Sequence, residues 1–533
     1  MVNFSPSALP SALKDYQFGA STGANFSPIT RSIIINAQQM RDIENRLFAE
    51  GMPVPALMEK AALGVANRVQ ALYPRSPFLK VGVLVGTGHN GGDALVVARE
   101  LWLQGYQVQI YCPGANLKEL TASHARYARA LGIPLVGQLS DLDSADVLVD
   151  GLLGFGLTRP VTGWQAEAIA QVNQMSCPVV SIDLPSGLHT DTGEVLGIAI
   201  RATHSFCLGL WKAAYFQDQA LPYLGQVELL EIGIPDIWLQ DLAPVLPQVW
   251  DRSQAQASLP LPRPLVTHKY QQGHLLLICG SRRYAGGAIL TGLGARASGV
   301  GMLSMAVPAS LKLLLVSHLP EALILDCPET PTGAIAALPE DLGDLTQFSA
   351  IAIGPGLTLE AQALVQQILK APCPVIIDAD GLNSLSQLGT QATLSQRPYP
   401  TVLTPHLGEF KRLFPEIPYP DQDRLQAVKT CAQSCQSIVL FKGARTAIAN
   451  PEGQVWVIPE STPALARGGS GDVLTGLMAG LIAQPRQTSL ESLVATASWW
   501  HAQAGMLAAQ ERTELGVDAF TLTHYLNAVL SLP

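Results

Sequence analysis

Short apolar runs alternate with amphipathic, helix-length stretches along most of this chain. A helical pattern opens at Ser32, with Met40, Ile43, Leu47 and Phe48 spaced for one face, and a second helix runs through Leu57, Met58 and Ala61. Strand-like runs recur at Val81–Val85, Val108–Cys112, Val147–Asp150, Val179–Asp183 and Ser205–Leu208, with helix-length stretches such as Asp93–Gln104 and Thr121–Leu131 between them. Near Ile234 the alternation stops at a segment dense in proline and glutamine, expected as a linker over 241–262. A second series follows at Gly273–Cys279, Val300–Val307, Ala350–Ile353, Val375–Asp378, Thr401–Thr404 and Ser437–Phe441. Ala447–Ala449 and Val455–Ile458 flank Asn-Pro-Glu-Gly and predict a hairpin. Apolar strands separated by helices are covered on both faces, so the expected fold class is α/β, with parallel sheets in two tandem domains over 31–240 and 263–533. Residues 1–30 are rich in Ser, Ala, Phe and Pro without periodicity and are expected to form a flexible N-terminal extension.

Composition agrees with large cores. Hydrophobic residues make up 48% and charged residues only 14% of the 533 residues, against a usual charged share of about 25%. A mean hydropathy of +0.23 would suit a membrane protein. No apolar run reaches the roughly 18 residues a span needs, however, and the most apolar helix-like stretch, Val473–Ala483, is too short. The N-terminal segment lacks a basic end followed by an apolar block, so a cytoplasmic location is expected. Eight cysteines are dispersed through the chain; Cys431 and Cys435 lie one helical turn apart with no partner pair, so buried thiols are expected rather than a zinc site. Lys+Arg number 33 and Asp+Glu 42, a net charge of -9, with no basic run able to follow a phosphate backbone. Nucleic acid is therefore not an expected partner, and an anionic ligand has to be held by glycine turns, helix N-termini and single lysines.

In the first domain, VGVLVGTGHNGGDALVVARELWLQG reads as strand, glycine-rich turn and helix, and Gly86, Gly88 and Gly91 satisfy the loose G-x-G-x-x-G pattern. A nicotinamide oxidoreductase would place an acidic residue about 20 positions on, at the next strand's end. Gln109-Ile110-Tyr111-Cys112 stands there instead, which weakens that reading. His89, Asn90 and Asp93 surround the glycines at a strand's carboxyl end, where open sheets bind ligands. Two more strand ends add Asp150, before Gly151, Gly154 and Gly156, and Asp183 with Ser186. Either aspartate alone could cap a loop; three polar strand ends on one sheet edge point to a site.

In the second domain, LARGGSGDVLTGLMAGLIA places Leu474, Leu477, Met478 and Leu481 on one helical face, so a helix begins near Gly471 with unsatisfied amides facing a glycine turn. Gly469–Gly471 are expected to donate N–H groups to a phosphate. Asp472 repels such a ligand unless it takes a proton from an attacking hydroxyl; the bland alternative, helix-dipole stabilisation, is worth roughly 0.3–1 kcal/mol. Lys442 after a strand, with Gly443 opening the turn, favours the chemical reading. Further strand ends carry LICGSRRYAGGA, AIAIGPGL, VIIDADGLN and VLTPHLGEF, the last with His406 and Glu409.

Together these motifs resemble a known pair of families over about residues 31–533. GTGHNGGD, VDGLLGFGL and SIDLPSG resemble the NAD(P)H-hydrate epimerase domain, Rossmann-like with three α/β/α layers. GSRRYAGGA, GPGL, DADGLN, TPHLGEF, FKGART and GGSGDVLTG resemble the NAD(P)H-hydrate dehydratase, a ribokinase-like α/β/α fold. Fused, they are similar to the bacterial bifunctional nicotinamide nucleotide repair enzymes. The resemblance implies epimerisation of the R and S hydrates of NADH or NADPH (NADHX and NADPHX), and dehydration of the S form at the expense of a nucleoside phosphate, ADP being favoured over ATP. It implies an epimerase substrate site on His89, Asn90, Gly91, Gly92 and Asp93, on Gly154, Phe155, Gly156, Leu157, Thr158, Arg159 and Pro160, and on Asp183. A potassium ion (K+) is implied near Asn90, Asp150 and Ser186, whose oxygens suit a hard cation. In the dehydratase it implies hydrate contacts at Ala288, Gly356, His406 and Asp472. The nucleotide is implied on Lys442, Gly443, Ala444, Arg445, Thr446 and Gly471, with Mg2+. The sequence departs from the family at His89, where asparagine is usual, and at Leu407, where proline is usual.

Asp472 is expected as the base that deprotonates the ring hydroxyl, with Lys442 and the amides of Gly469–Gly471 holding developing charge. Asp183 is expected as the epimerase acid/base. A kinase for a small alcohol or vitamin precursor with an accessory N-terminal binding domain would share Gly471 and Asp472 but leaves TPHLGEF and the first domain unexplained. A non-catalytic first domain would be expected to have lost Asn90, Asp150 or Asp183. The resemblance and the low surface charge both lead to the expectation of a homo-oligomer.

Overall fold

The computed structural model describes residues 19–20, 27–485 and 487–531. The chain divides into two compact units between Leu246 and Pro247. Most of the extension expected over 1–30 lies outside the described residues. Of its described part, Gly19–Ala20 pairs in parallel with Gln226–Leu230, and Pro28–Ser32 is a short helix capped by the Ser27 hydroxyl. The helix expected from Ser32 begins instead at Ala37. Ile34–Ile35 is a strand paired with Trp211–Lys212, and Asn36 and Gln39 close a capping box at the start of Ala37–Ala49.

The first unit is built on an eight-stranded, all-parallel sheet. Its order is Gly19–Ala20, Gln226–Leu230, His204–Leu208, Val179–Ile182, Val147–Gly151, Lys80–Val85, Gln107–Tyr111, Leu135–Val136. The chain leaves Lys80–Val85 toward one edge and returns to its other side at Val147–Gly151. Such a topological switch opens a crevice at the carboxyl ends of the two strands, the usual ligand site of open α/β sheets. Val81, Val83 and Val85 pack with Val65, Val69 and Ala94–Ala98 in one core, and Leu84 and Leu148 in the other, so both faces are dry.

The second unit carries ten strands. Seven run in sheet order from Ile438–Phe441 through Thr401–Leu403, Val375–Ile377, Ala350–Ile353, His274–Ile278 and Met302–Pro308 to Leu323–Cys327, with the predicted hairpin Thr446–Ala449 and Val455–Ile458 antiparallel at the other side. Here the switch lies between His274–Ile278 and Ala350–Ile353. The segment expected as a linker is largely part of a domain. Gln248–Val249 pairs in parallel with Trp456–Val457, Trp250 is buried, and Asp251 and Gln254 cap the helix Arg252–Ser258, whose Ala255 is fully buried. Leu242, Ala243 and Leu246 pack against the first unit's core. Proline and glutamine density conceals these few apolar anchors.

Two glycine contacts position the late helix Ser470–Ala483 against Ala285–Ala297. A Cβ on Gly476 would stand 1.8 Å from the Thr291 carbonyl oxygen, and one on Gly294 would stand 2.2 Å from that of Val473. Only backbone-to-backbone contact lets the helices come this close, which brings their N-terminal ends to the same strand ends.

Candidate active sites

In the first unit, the crevice at the switch point is a cavity of about 700 Å³. His89, Asn90, Asp93, Gly154–Arg159 and Asp183 line it, as expected. Gly91, Gly92 and Pro160 do not. Gly91 lies against the Gly86 backbone and Gly92 against Met58 of the helix Val54–Leu72, so these two glycines serve the close packing of helix His89–Leu103 on the strand end and on that helix. Burial and Lys118 push the His89 imidazole below its ordinary value.

Asp183 closes the strand Val179–Ile182 in a left-handed conformation, φ 66°, uncommon for a residue with a side chain. Its Oδ1 accepts from Lys212 Nζ at 2.5 Å and from Leu208 N at 3.3 Å, its Oδ2 from Phe155 N at 3.3 Å, and its carbonyl from the Tyr215 hydroxyl at 2.5 Å. Lys212 is fully buried. Burial opposes its charge, but Asp183 and the other nearby acids outweigh that and raise the ammonium above its ordinary range. Asp93 is pushed well up by burial, with Asp183 and Glu44 adding repulsion.

Behind the cavity, Asp150 is fully buried and accepts from Ser181 Oγ (2.9 Å), Ser186 N (2.9 Å), Ser186 Oγ (2.6 Å) and Leu152 N (3.2 Å). Ser186 Oγ and Asn90 Nδ2 both reach the Leu153 carbonyl, at 3.2 and 2.9 Å. Asn90, Asp150 and Ser186 thus converge on one loop, 151–154.

In the second unit, the turn before Ser470–Ala483 is set by Gly469, φ 92°, where a Cβ would also strike Leu290 at 2.4 Å. Ser470 N–H is spent on the Arg467 carbonyl (3.3 Å), so the first-turn amides free by helix geometry are those of Gly471 and Asp472. His501, which burial pushes down to about 4, fastens this turn through the Ser470 carbonyl at 3.0 Å. Lys442 Nζ lies beside it, 3.5 Å from where a Gly471 Cβ would be.

Lys442 pairs with Asp378 at 2.9 Å and stands 3.9 Å from Glu409. Asp378 also accepts from Thr404 Oγ1 (2.8 Å) and Thr475 Oγ1 (2.7 Å). Burial pushes Asp378 up, but Lys442 and the hydroxyls prevail and hold it below the usual carboxylate range. Asp472 has no such donors among the described residues; burial, reinforced by repulsion from Asp378 and opposed by Lys442, raises its carboxyl to about 7. A Cβ on Gly287 would stand 3.3 Å from Asp472 Oδ2, so glycine there keeps the carboxylate accessible.

His406 is an exposed N-cap. Its Nδ1 accepts from Gly408 N (2.9 Å) and Glu409 N (3.3 Å), and Glu409 Oε2 accepts from His406 N (2.9 Å), a closed capping box that stands without the proline usual at Leu407. Ala288 is wholly buried against Gly280, so it shapes the helix start by its small size. Gly356, φ 63°, lies against Tyr284. The turn Gly443–Thr446 is propped by buried Arg424, whose guanidinium stacks 4.2 Å from the Phe441 ring and donates to the Phe441 carbonyl at 3.1 Å.

Sequence reasoning missed Glu44, Lys212, Asp378, Thr475, Arg424 and His501 as parts of these sites. Asp378 and Thr475 sat in quoted motifs, DADGLN and GGSGDVLTG; the others lie in helices and a two-residue strand that carry no local signal.

Fold and sites define a two-domain α/β enzyme with a polar cavity in one unit and a lysine- and glycine-lined anion site with an unpaired acid in the other. Residues 54–214 match the family described as YjeF-related protein N-terminus, and residues 275–528 the family described as NAD(P)H-hydrate dehydratase. The chain is 59% identical to the bifunctional NAD(P)H-hydrate repair enzyme Nnr of Synechocystis, over 94% of this chain and 95% of that one. It is 53% identical to that of Thermosynechococcus vestitus, over 91% and 94%. A solved Bacillus subtilis ADP/ATP-dependent NAD(P)H-hydrate dehydratase aligns at 32% identity and a TM-score of 0.46, covering 53% of this chain and 97% of that one. The chain belongs to the family of bifunctional NAD(P)H-hydrate repair enzymes, with an epimerase and a dehydratase domain.

Among the described residues no helix is long and apolar enough to cross a membrane.

Proposed function

We propose that the first unit interconverts the R and S hydrates of NADH or NADPH and that the second returns the S hydrate to the dihydronicotinamide, consuming ADP or ATP. The observation that carries the second half is Asp472: a buried carboxyl at about 7, unlike the ion-paired Asp378 beside it, next to the charged Lys442 and a helix N-terminus. At neutral pH such a group exchanges protons readily, as a general base must.

Asp472 takes the proton of the ring hydroxyl, and the hydroxyl oxygen attacks the terminal phosphoryl group. Lys442 and the first-turn amides of Gly471 and Asp472 hold the charge that develops on the phosphoryl oxygens. The carbon–oxygen bond then breaks with loss of inorganic phosphate and of a ring proton, restoring the double bond. His406 and Gly356 border the hydrate, and Lys442–Thr446 the nucleotide.

Among the described residues no three His, Cys, Asp or Glu side chains converge on a metal position. Magnesium would, when bound, neutralise charge on the nucleotide's phosphates. Asn90, Asp150 and Ser186 would hold potassium in the first unit, where it would fix the 151–157 loop against the substrate. Asp183 serves as acid/base at the substituted ring carbon.

The test is a coupled assay of the full chain with each epimer and ADP or ATP, reading phosphate release and recovery of dihydronicotinamide absorbance. Stoichiometric release of both is expected. A stable phosphorylated product without absorbance recovery would refute the reading in favour of a kinase.

A further inference from the structure

The first unit's cavity holds a carboxyl group to which neither the sequence motifs nor the proposed reaction gives a role. Glu44 lies on Ala37–Ala49, fixed by the Asn36–Gln39 capping box and by Asp191, which accepts from Ala37 N at 2.7 Å. It lines the same cavity as Asp183 and Lys212 but arrives from a different element than the strand ends that carry the other polar groups. Asp183 is held by three donors, whereas no described residue donates a hydrogen bond or ion pair to the Glu44 carboxyl. A half-buried acid without a partner costs stability and persists where a ligand or a proton uses it.

We propose that Glu44 is a second catalytic residue of the epimerisation, the proton donor to the departing ring hydroxyl, working as a pair with Asp183. This rests on the epimerase reading above. The carbon–oxygen bond breaks with its electron pair on oxygen, which takes the Glu44 proton and leaves as water. The ring-nitrogen lone pair becomes the second bond of a C=N⁺ group. Water then adds to the other face, the pair returns to nitrogen, and the extra proton passes to Asp183. One water leaves, one enters, and the proton returns from Asp183 to Glu44 before the next turnover; the opposite conversion runs the same steps in reverse.

Both directions require the pair to carry one proton. Burial raises Glu44 to about 7, with Lys212 and Arg41 opposing and Asp183 reinforcing. Asp93, also in the cavity wall, is pushed well above the ordinary carboxylate range, by burial first and then by Asp183 and Glu44. His89, Lys118 and Arg159 complete the charged and titratable groups of the cavity wall. Epimerisation is therefore expected to fall as pH rises above about 7.

The experiment follows R-to-S conversion chromatographically with the full chain and no nucleotide, comparing wild type with Glu44→Gln and Glu44→Asp. The thermal transition of the first unit, followed by calorimetry of the full chain, reports that each variant is folded there. The expected result is a loss in kcat of about 100-fold or more in Glu44→Gln with KM little changed, disappearance of the alkaline fall, and partial recovery in Glu44→Asp. A wild-type rate in Glu44→Gln, a defect confined to KM, or an alkaline fall that survives there but vanishes in Asp93→Asn would overturn the proposal. A wild type that does not accelerate epimerisation sinks the epimerase reading itself.

Discussion

Replacing Asp472 by asparagine is expected to abolish dehydration and stabilise the second unit at the same time. Raising a carboxyl from 3.8 to about 7 on folding corresponds, at about 1.36 kcal/mol per pH unit, to roughly 4 kcal/mol. Below pH 3.8 the folded and unfolded chains both hold the proton and the group costs nothing. The cost grows as pH rises from there to about 7, while only the unfolded chain ionises, and remains at full size above. Asparagine keeps the shape without the charge and also removes the repulsion from Asp378. Calorimetry of the full chain at pH 8 should show the second unit's transition several degrees higher in Asp472→Asn, on the order of 10 °C at most, with the difference vanishing toward pH 4. Wild-type dehydration should climb with pH through about 7, because the base works ionised. An Asp472→Asn chain less stable than wild type at pH 8 would refute the burial argument; one that retains a tenth of the turnover would refute the base.

Lys442→Met should cost about 3–5 kcal/mol in urea unfolding of the second unit, because it leaves the almost wholly buried Asp378 without its cation, and should eliminate phosphate release. Gly476→Val should cost about 3 kcal/mol or more, or leave no soluble chain, since even a Cβ would stand 1.8 Å from the Thr291 carbonyl oxygen; thermal melting checks this. Asp183→Asn should stop epimerisation and also cost about 3–5 kcal/mol, since Lys212 is left buried and unpaired; combining it with Lys212→Met should recover the stability and not the activity.

What was legible in the sequence divides along a physical line. Central strands of parallel sheets are apolar on both faces, so Val81–Val85, Ala350–Ile353 and their neighbours announce themselves, and their carboxyl ends carry glycines and acids in short motifs. Strands toward the sheet margins do not: Gln226–Leu230, second from its edge, and the edge strand Leu323–Cys327 mix charged and apolar residues and went unread. Gln248–Val249 was hidden in proline-rich surroundings. Within the sites, groups on motif loops such as Asn90, Asp150, Asp183, Lys442 and Asp472 were visible. Their partners were not, because Glu44, Lys212, Arg424 and His501 reach the sites from elements remote in sequence, and no local spacing encodes a meeting made by the fold.

Those remote partners decide the chemistry. In each unit a site lysine is bound to one aspartate: Lys212 to Asp183 at 2.5 Å, Lys442 to Asp378 at 2.9 Å. In each, a second carboxyl stands in the same site with no donor among the described residues, and burial brings Glu44 and Asp472 alike to about 7. A single buried cation can balance only one of two neighbouring acids, so the other titrates where a proton can be given or taken at neutral pH. From the sequence alone, Asp183 and Asp472 look like equivalent strand-end and helix-start acids. The ion pairs separate them: Asp472 is the acid its lysine leaves over, whereas Asp183 is the acid its lysine claims, and the corresponding free group in the first unit is Glu44. The epimerase therefore needs both members of its pair, and its neutral-pH proton source lies on the N-terminal helix rather than in the glycine-loop motifs.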